Sequence, residues 1–150
     1  MALRLSSLAA QGLATRYGLA SLFAGGYIGI YSGAQPAKAD EPPQGRLLAV
    51  VTVQGRAIPS VSDRAGGLTW QASATYGQVQ DTGDWKAVAS ESGEPGWWRM
   101  VALGHSLQGD GARSARIDGA VADSLDLGGL PSLAAGQVVQ VAFSARFLPN

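Results

Sequence analysis

The sequence predicts a mainly β chain: an antiparallel sandwich or barrel, jelly-roll or immunoglobulin-like, with one amino-terminal α-helix. Three observations predict it. Seven or eight short strand-like segments follow one another, separated by clusters of glycine, proline and aspartate. Helical spacing is confined to one stretch at the start. No helical stretch separates the strands, which argues against a parallel sheet built from βαβ units. The expected division is an amino-terminal helical arm over 1–26 and a β-sandwich domain over 27–150.

Residues Ser6 to Ala24 carry the helix. Ser6 or Ser7 can cap its start, Leu5, Leu8, Ala9, Leu13, Tyr17 and Ala20 recur at helical spacing, and Gly25-Gly26 stops it. Gly12 and Gly18 weaken it, each by about 1 kcal/mol relative to alanine. The period then changes to alternation. Tyr27 to Tyr31 reads as a strand, followed by a loop from Ser32 to Gly45 whose Pro36, Pro42 and Pro43 suit no sheet interior. Arg46 to Val53 is a second strand, Gln54 to Gly67 a long connection, and Leu68 to Gln71 a short strand around Trp70. Asp84 to Ala89 and Gly96 to Leu103 follow, joined through a turn cluster from Glu91 to Pro95. Gly109-Asp110-Gly111 marks a reversal, and Ser114 to Ala122 and Ser124 to Leu127 come next. The last strand is the clearest. Val139, Val141, Phe143, Ala145 and Phe147 fill one face, and Gln140, Ser144 and Arg146 mark the other.

With 150 residues the chain is one domain by size, able to bury about two-thirds of its unfolded surface. Eleven basic residues balance eleven acidic ones without blocks of either sign, so no footprint for nucleic acid or anionic lipid is present. Cysteine is absent, which excludes disulfides, thiolate metal sites and cysteine nucleophiles. Arg4 before an alanine-rich stretch, with Ala37-Lys38-Ala39 downstream, resembles a leader. Gln11, Arg16 and Tyr17 interrupt that stretch, so cleavage is not expected. No run reaches the roughly 18 apolar residues of a membrane span.

Candidate chemistry is sparse, and no cofactor is implied. His105 is the only histidine, and its neighbour Ser106 would point away from it on an extended segment, so a serine–histidine relay is not expected. Asp81/Asp84, Glu91/Glu94 and Asp123/Asp126 are local carboxylate pairs, all in turn-like sequence where acids bond the local backbone. Gly109-Asp110-Gly111 with Asp118, Asp123 and Asp126 offers hard oxygens, but not the spacing of a calcium loop. Trp70, Trp85, Trp97 and Trp98 could form a carbohydrate platform or a core. Trp97 and Trp98 are adjacent on a strand, so one is expected in the core and the other exposed or covered by a partner.

Five segments recur in one order. They are Tyr27-Ile28-Gly29-Ile30-Tyr31-Ser32-Gly33-Ala34-Gln35-Pro36-Ala37-Lys38-Ala39-Asp40, then Gly45-Arg46-Leu47-Leu48-Ala49, Gly96-Trp97-Trp98-Arg99, Arg116-Ile117-Asp118-Gly119, and the closing alternating strand. Behind a short helix, this arrangement resembles a family of small structural proteins of tailed bacteriophages and prophages. Residues Gln54 to Thr82 carry no part of the resemblance. It implies a virion component assembled in the host cytoplasm, with a capsid decoration (cement) protein favoured over a tail or head–tail connector protein. Implied partners are other copies of the chain, the major capsid protein and, second, tail proteins, with neither nucleic acid nor membrane. The expected contact residues are Leu5, Leu8, Leu13 and Tyr17 on the helical arm, Tyr31 and Pro36 at the following strand and loop, and Trp97 and Trp98.

Overall fold

The structure, a computed structural model, describes residues 3–15, 18–74, 78–109 and 113–146. It is mainly β, with two antiparallel sheets and a few short helices. In chain order the elements are β1 (Arg4–Leu5), α1 (Ser7–Thr15), α2 (Leu19–Phe23), β2 (Tyr27–Ser32), β3 (Leu47–Val53), β4 (Gln71–Ala72) and β5 (Gln78–Gln80). They continue with β6 (Trp85–Ala89), β7 (Pro95–Val101), β8 (Arg116–Ala120), α3 (Val121–Ser124), β9 (Leu125–Asp126), β10 (Val138–Gln140) and β11 (Ala142–Arg146). The larger sheet runs β1-β8-β7-β2-β3-β6-β10 and the smaller one β4-β5-β11-β9.

Several expected elements change form. The single helix over Ser6 to Ala24 is two helices, because Gly18 adopts an extended conformation (φ −72°, ψ 159°) at the start of α2. The strand expected from Leu68 to Gln71 begins only at Gln71, and Trp70 lies before it. Ser124 to Leu127 opens as the last residue of α3 and pairs only over Leu125–Asp126. The closing strand divides at Val141: Val138–Gln140 pairs with β6 in the larger sheet, and Ala142–Arg146 pairs with β5 and β9 in the smaller. Its inward face is nonetheless as read, since Val139, Val141, Phe143 and Ala145 are all buried. Phe147 lies outside the described residues.

β2 is central in its sheet and buried on both faces, from Tyr27 to Tyr31 without interruption. One face joins the main core, in which Phe143 of the smaller sheet meets Trp98 edge-on (centroids 5.3 Å apart), Trp85 at 5.2 Å and Trp70 at 5.9 Å. Burying Phe143 contributes about 1.5–3 kcal/mol, with aromatic geometry adding to it. The other face holds Tyr27, Val101 and Leu107. Leu107 lies over Gly29, where a Cβ would come within 2.8 Å of it. The loop 32–45 and the described residues 102–109 cover this second face, with Gln44 O meeting Trp97 and Leu107 O meeting Arg99.

Candidate functional site

Two places in the molecule concentrate polar chemistry. The first is a buried charged cluster on the loop-covered face of the larger sheet. Strand register sets Gly29 beside Arg99, Arg99 beside Asp118, and Asp118 beside Arg4, so four strands deliver one lateral row. Arg99 grips Asp118 through two parallel bonds, Nε to Oδ1 at 2.7 Å and Nη2 to Oδ2 at 2.8 Å, with both side chains wholly buried. The third donor of Arg99, Nη1, reaches the Leu107 carbonyl at 3.2 Å. Its guanidinium lies 5.3 Å from the Trp97 ring, and Trp97 stacks on Tyr31 at 4.5 Å. Burial pushes the Asp118 carboxyl above its ordinary range, while the Arg99 bonds and the charges of Arg99, Arg116 and Arg4 pull it down. The bidentate geometry is that of an ionised pair.

Arg116, also fully buried, gathers backbone rather than substrate. It donates to the carbonyls of Ser106 (3.0 Å), Gly109 (2.9 Å) and Gln108, with longer contacts to Ala39 and Glu41. Arg4 donates to the carbonyls of Pro36 and Ala37. The arm is sewn in by two serines. The Ser6 hydroxyl donates to Ser114 O and accepts the amides of Ala9 and Arg116, so it caps α1 and ties it to β8 together. Ser7 donates its amide and its hydroxyl to Asp40, holding that carboxyl below the usual carboxylate range. Tyr31 Oη is buried with no hydrogen-bond partner among the described residues, and burial pushes the phenol up to about 12. The cluster spends its donors on loops and strand neighbours. It is a clamp.

The second place is an open cleft of about 560 Å³ on the smaller sheet, lined from all four of its strands and from α3. Asp81, Asp123 and Asp126 face it, with no lysine or arginine among the described lining residues. Asp81 accepts the amides of Phe143 (2.7 Å) and Gly83 (2.8 Å), and Asp126 accepts that of Gly128 (2.8 Å). The Gly83 and Gly128 bonds are the local turn bonds expected of such acids, whereas the Phe143 bond joins Asp81 to a distant strand.

The remaining sequence candidates resolve individually. His105 Nδ1 accepts the Ala115 amide at 2.7 Å, and burial lowers the imidazole pKa, so the ring is a neutral structural acceptor. Asp84 accepts the Thr82 hydroxyl, and Glu91 stands 3.7 Å from Arg46 at the surface. Asp118 is committed to Arg99, Asp110 and Gly111 lie outside the described residues, and among the described residues no group of three or more acids and histidines could hold a metal ion. No described helix is long and apolar enough to cross a membrane.

Both Trp97 and Trp98 are wholly buried, which corrects the expectation that one would face outward. Each indole has its own carbonyl, Gln44 of the covering loop for Trp97 and Ala120 of the neighbouring strand β8 for Trp98; Trp98 lies in the main core, and Trp97 is buried because a loop covers the face that strand alternation left open. With Trp70 and Trp85 buried too, no exposed tryptophan pair forms a sugar platform. Of the expected contact residues, Tyr31 and Pro36 are also buried, Leu8 is half-buried and Leu5 is exposed. The side chain of Leu13 and the whole of Tyr17 lie outside the described part of the molecule. Exposed apolar residues that the sequence reading passed over are Ile58, Val61, Val88, Leu130 and Val138. Strand alternation was the available signal for Val138, whose side faces away from that of Val139.

No protein-family model, curated protein or solved structure matches this chain.

Proposed function

We propose that the chain is a non-catalytic structural protein of a tailed-bacteriophage particle: a capsid decoration protein, its two sheets closing as a sandwich and its surface clamping neighbouring shell subunits. One observation carries the reading. The segments on which the phage resemblance rests lie far apart in sequence, yet their residues meet in one buried clamp. Tyr31 stacks on Trp97, Trp97 lies beside Arg99, and Arg99 holds Asp118. Arg116 and Asp40 then fasten the loop and the arm. Residues of a shared pattern spent on rigidity suit a protein whose work is to be a fixed shape. His105 and Asp81, two of the candidate acid–base side chains, are likewise engaged by backbone amides. Multiple copies in a symmetric shell would let a modest contact hold through multivalency.

Purified particles from the producing phage or prophage test this directly. Mass spectrometry is expected to find the chain in stoichiometric amount, and cryo-electron microscopy to place it on the outer shell. Density at the tail or neck would replace decoration by the tail or connector role. Absence from particles would overturn both.

A further inference from the structure

β10 is the outermost strand at one end of the larger sheet, and its outer edge is self-complementary. We infer that two copies of the chain join there, β10 against β10 in antiparallel register about a two-fold axis at Val139, making one sheet that runs through both. Such a joint deepens the structural role proposed above, on which its purpose rests; its geometry rests on the strand edge alone.

The ladder shows which groups are free. β10 has β6 on one side and no strand on the other. Ala89 donates its amide to Gln137 O and Val141 donates its amide to Trp85 O, each at 2.9 Å. Gln137, Val139 and Val141 are therefore the residues that bond to β6. The N–H and C=O groups of Val138 and Gln140 point outward, and no described residue bonds to them. The Gln140 side chain is folded back on the Gly83 and Trp85 carbonyls at 3.1 Å, on the β6 side, so it leaves the edge open.

One two-fold register satisfies this edge. With the axis at Val139, Val138 faces Gln140 of the second copy, and Gln140 faces Val138 of the second copy. Each pair exchanges both of its backbone bonds, so every outward donor and acceptor is used. An axis at Val138 would set Gln140 against Gly136, whose amide is turned to Ala89 O. An axis at Gln140 would set Val138 against Ala142, which already belongs to the smaller sheet.

Side chains and the other edges agree. Val50, Val88 and Val138 form one lateral row across β3, β6 and β10, and Val138 is 58% exposed. Pairing extends that row and shields Val138. Lys86, on the same face of β6, would stand three strand spacings from its counterpart, roughly 14 Å and beyond the screening length. β1, β4 and β9 are edges of two residues each, and β1 and β9 carry Arg4 and Asp126. Gln137 to Phe143, by contrast, contain no charge, proline or glycine, the composition that invites strand pairing. One open edge per copy closes as a dimer.

The test uses the full-length chain, sedimentation equilibrium and amide hydrogen exchange. A three-residue seam is small, so a monomer–dimer equilibrium in the micromolar to millimolar range is expected. Raising the concentration through that range should slow exchange at the Val138 and Gln140 amides by about tenfold or more. The Val139 amide, already bonded to β6, should be slow throughout. Val138→Pro removes an outward N–H and no bond to β6, and Val138→Lys sets like charges on the diagonal of the seam. Each should weaken the dimer by about tenfold or more while leaving near-ultraviolet circular dichroism unchanged. Val61→Lys, at an exposed loop site, should leave the dimer as it is. A monomer throughout, a dimer indifferent to both Val138 variants, or one weakened equally by Val61→Lys would each overturn the inference. Dimerisation through this edge by a chain that is missing from particles would leave the edge standing and remove the virion reading. A monomer that is nonetheless incorporated into particles would do the reverse.

Discussion

At Asp118 a carboxylate has been taken wholly out of water and given two guanidinium donors in return. Breaking such a pair from one side leaves an uncompensated buried charge. Arg99→Met is therefore expected to cost about 3–5 kcal/mol of stability in chemical denaturation. Arg99→Met combined with Asp118→Leu should cost clearly less than the two single changes added together, because no charge is then stranded. Additivity would show that the two residues act independently. Tyr31 makes the opposite case. Its ring is held by Trp97, while its hydroxyl is buried with no partner among the described residues, so Tyr31→Phe should be neutral or stabilising by up to about 1 kcal/mol. A marked loss of stability would show that the hydroxyl contributes a bond. Neither role can be read from residue type, since an arginine and a tyrosine on a strand serve equally well at a surface.

Among the elements, α1 depends most on distant sequence. Its first turn is satisfied by Ser6, as the local pattern predicts, and by Asp40, which no local pattern predicts. Asp40→Ala is expected to destabilise α1 by about 1 kcal/mol, seen as faster hydrogen exchange of its amides. Because Ser7 holds the Asp40 carboxyl below its ordinary 3.8, the stabilisation is present above that value and lost as pH falls through the lowered one. The parent should show this acid-dependent loosening and the variant should not. An identical pH profile in both would remove the cap from the account. The last strand shows the converse dependence. Its alternation was fully legible, and its burial follows it, but the change of sheet at Val141 is a matter of which neighbours are offered, β6 on one side and β5 and β9 on the other.

Over the whole molecule, the amino-terminal arm belongs to the larger sheet. β1 is its edge strand beside β8, Ala9 is completely buried, and Phe23 packs on Trp70 with centroids 5.7 Å apart. Deleting residues 1–24 removes an edge strand, a buried aromatic and the Ser6 node at once. The truncated chain is expected to lose cooperative thermal unfolding, measured by near-ultraviolet circular dichroism and calorimetry. A sharp transition close to that of the full chain would show that the arm is dispensable to the fold and free to act as a contact element.

The sequence by itself determined the mainly β class, the places of β2, β3, β6, β7 and β8, and the inward face of the closing strand. Period and turn residues are local, and they survive whatever the rest of the chain does. Tertiary structure alone decided that Trp97 and Trp98 are both buried, that four distant segments share one charged clamp, and that Asp81 faces the same cleft as Asp123 of α3 and Asp126 of β9. Alternation tells which side of a strand a residue takes. It does not tell what covers that side, and here two long loops held down by arginine close over the face that a lone strand would leave in water.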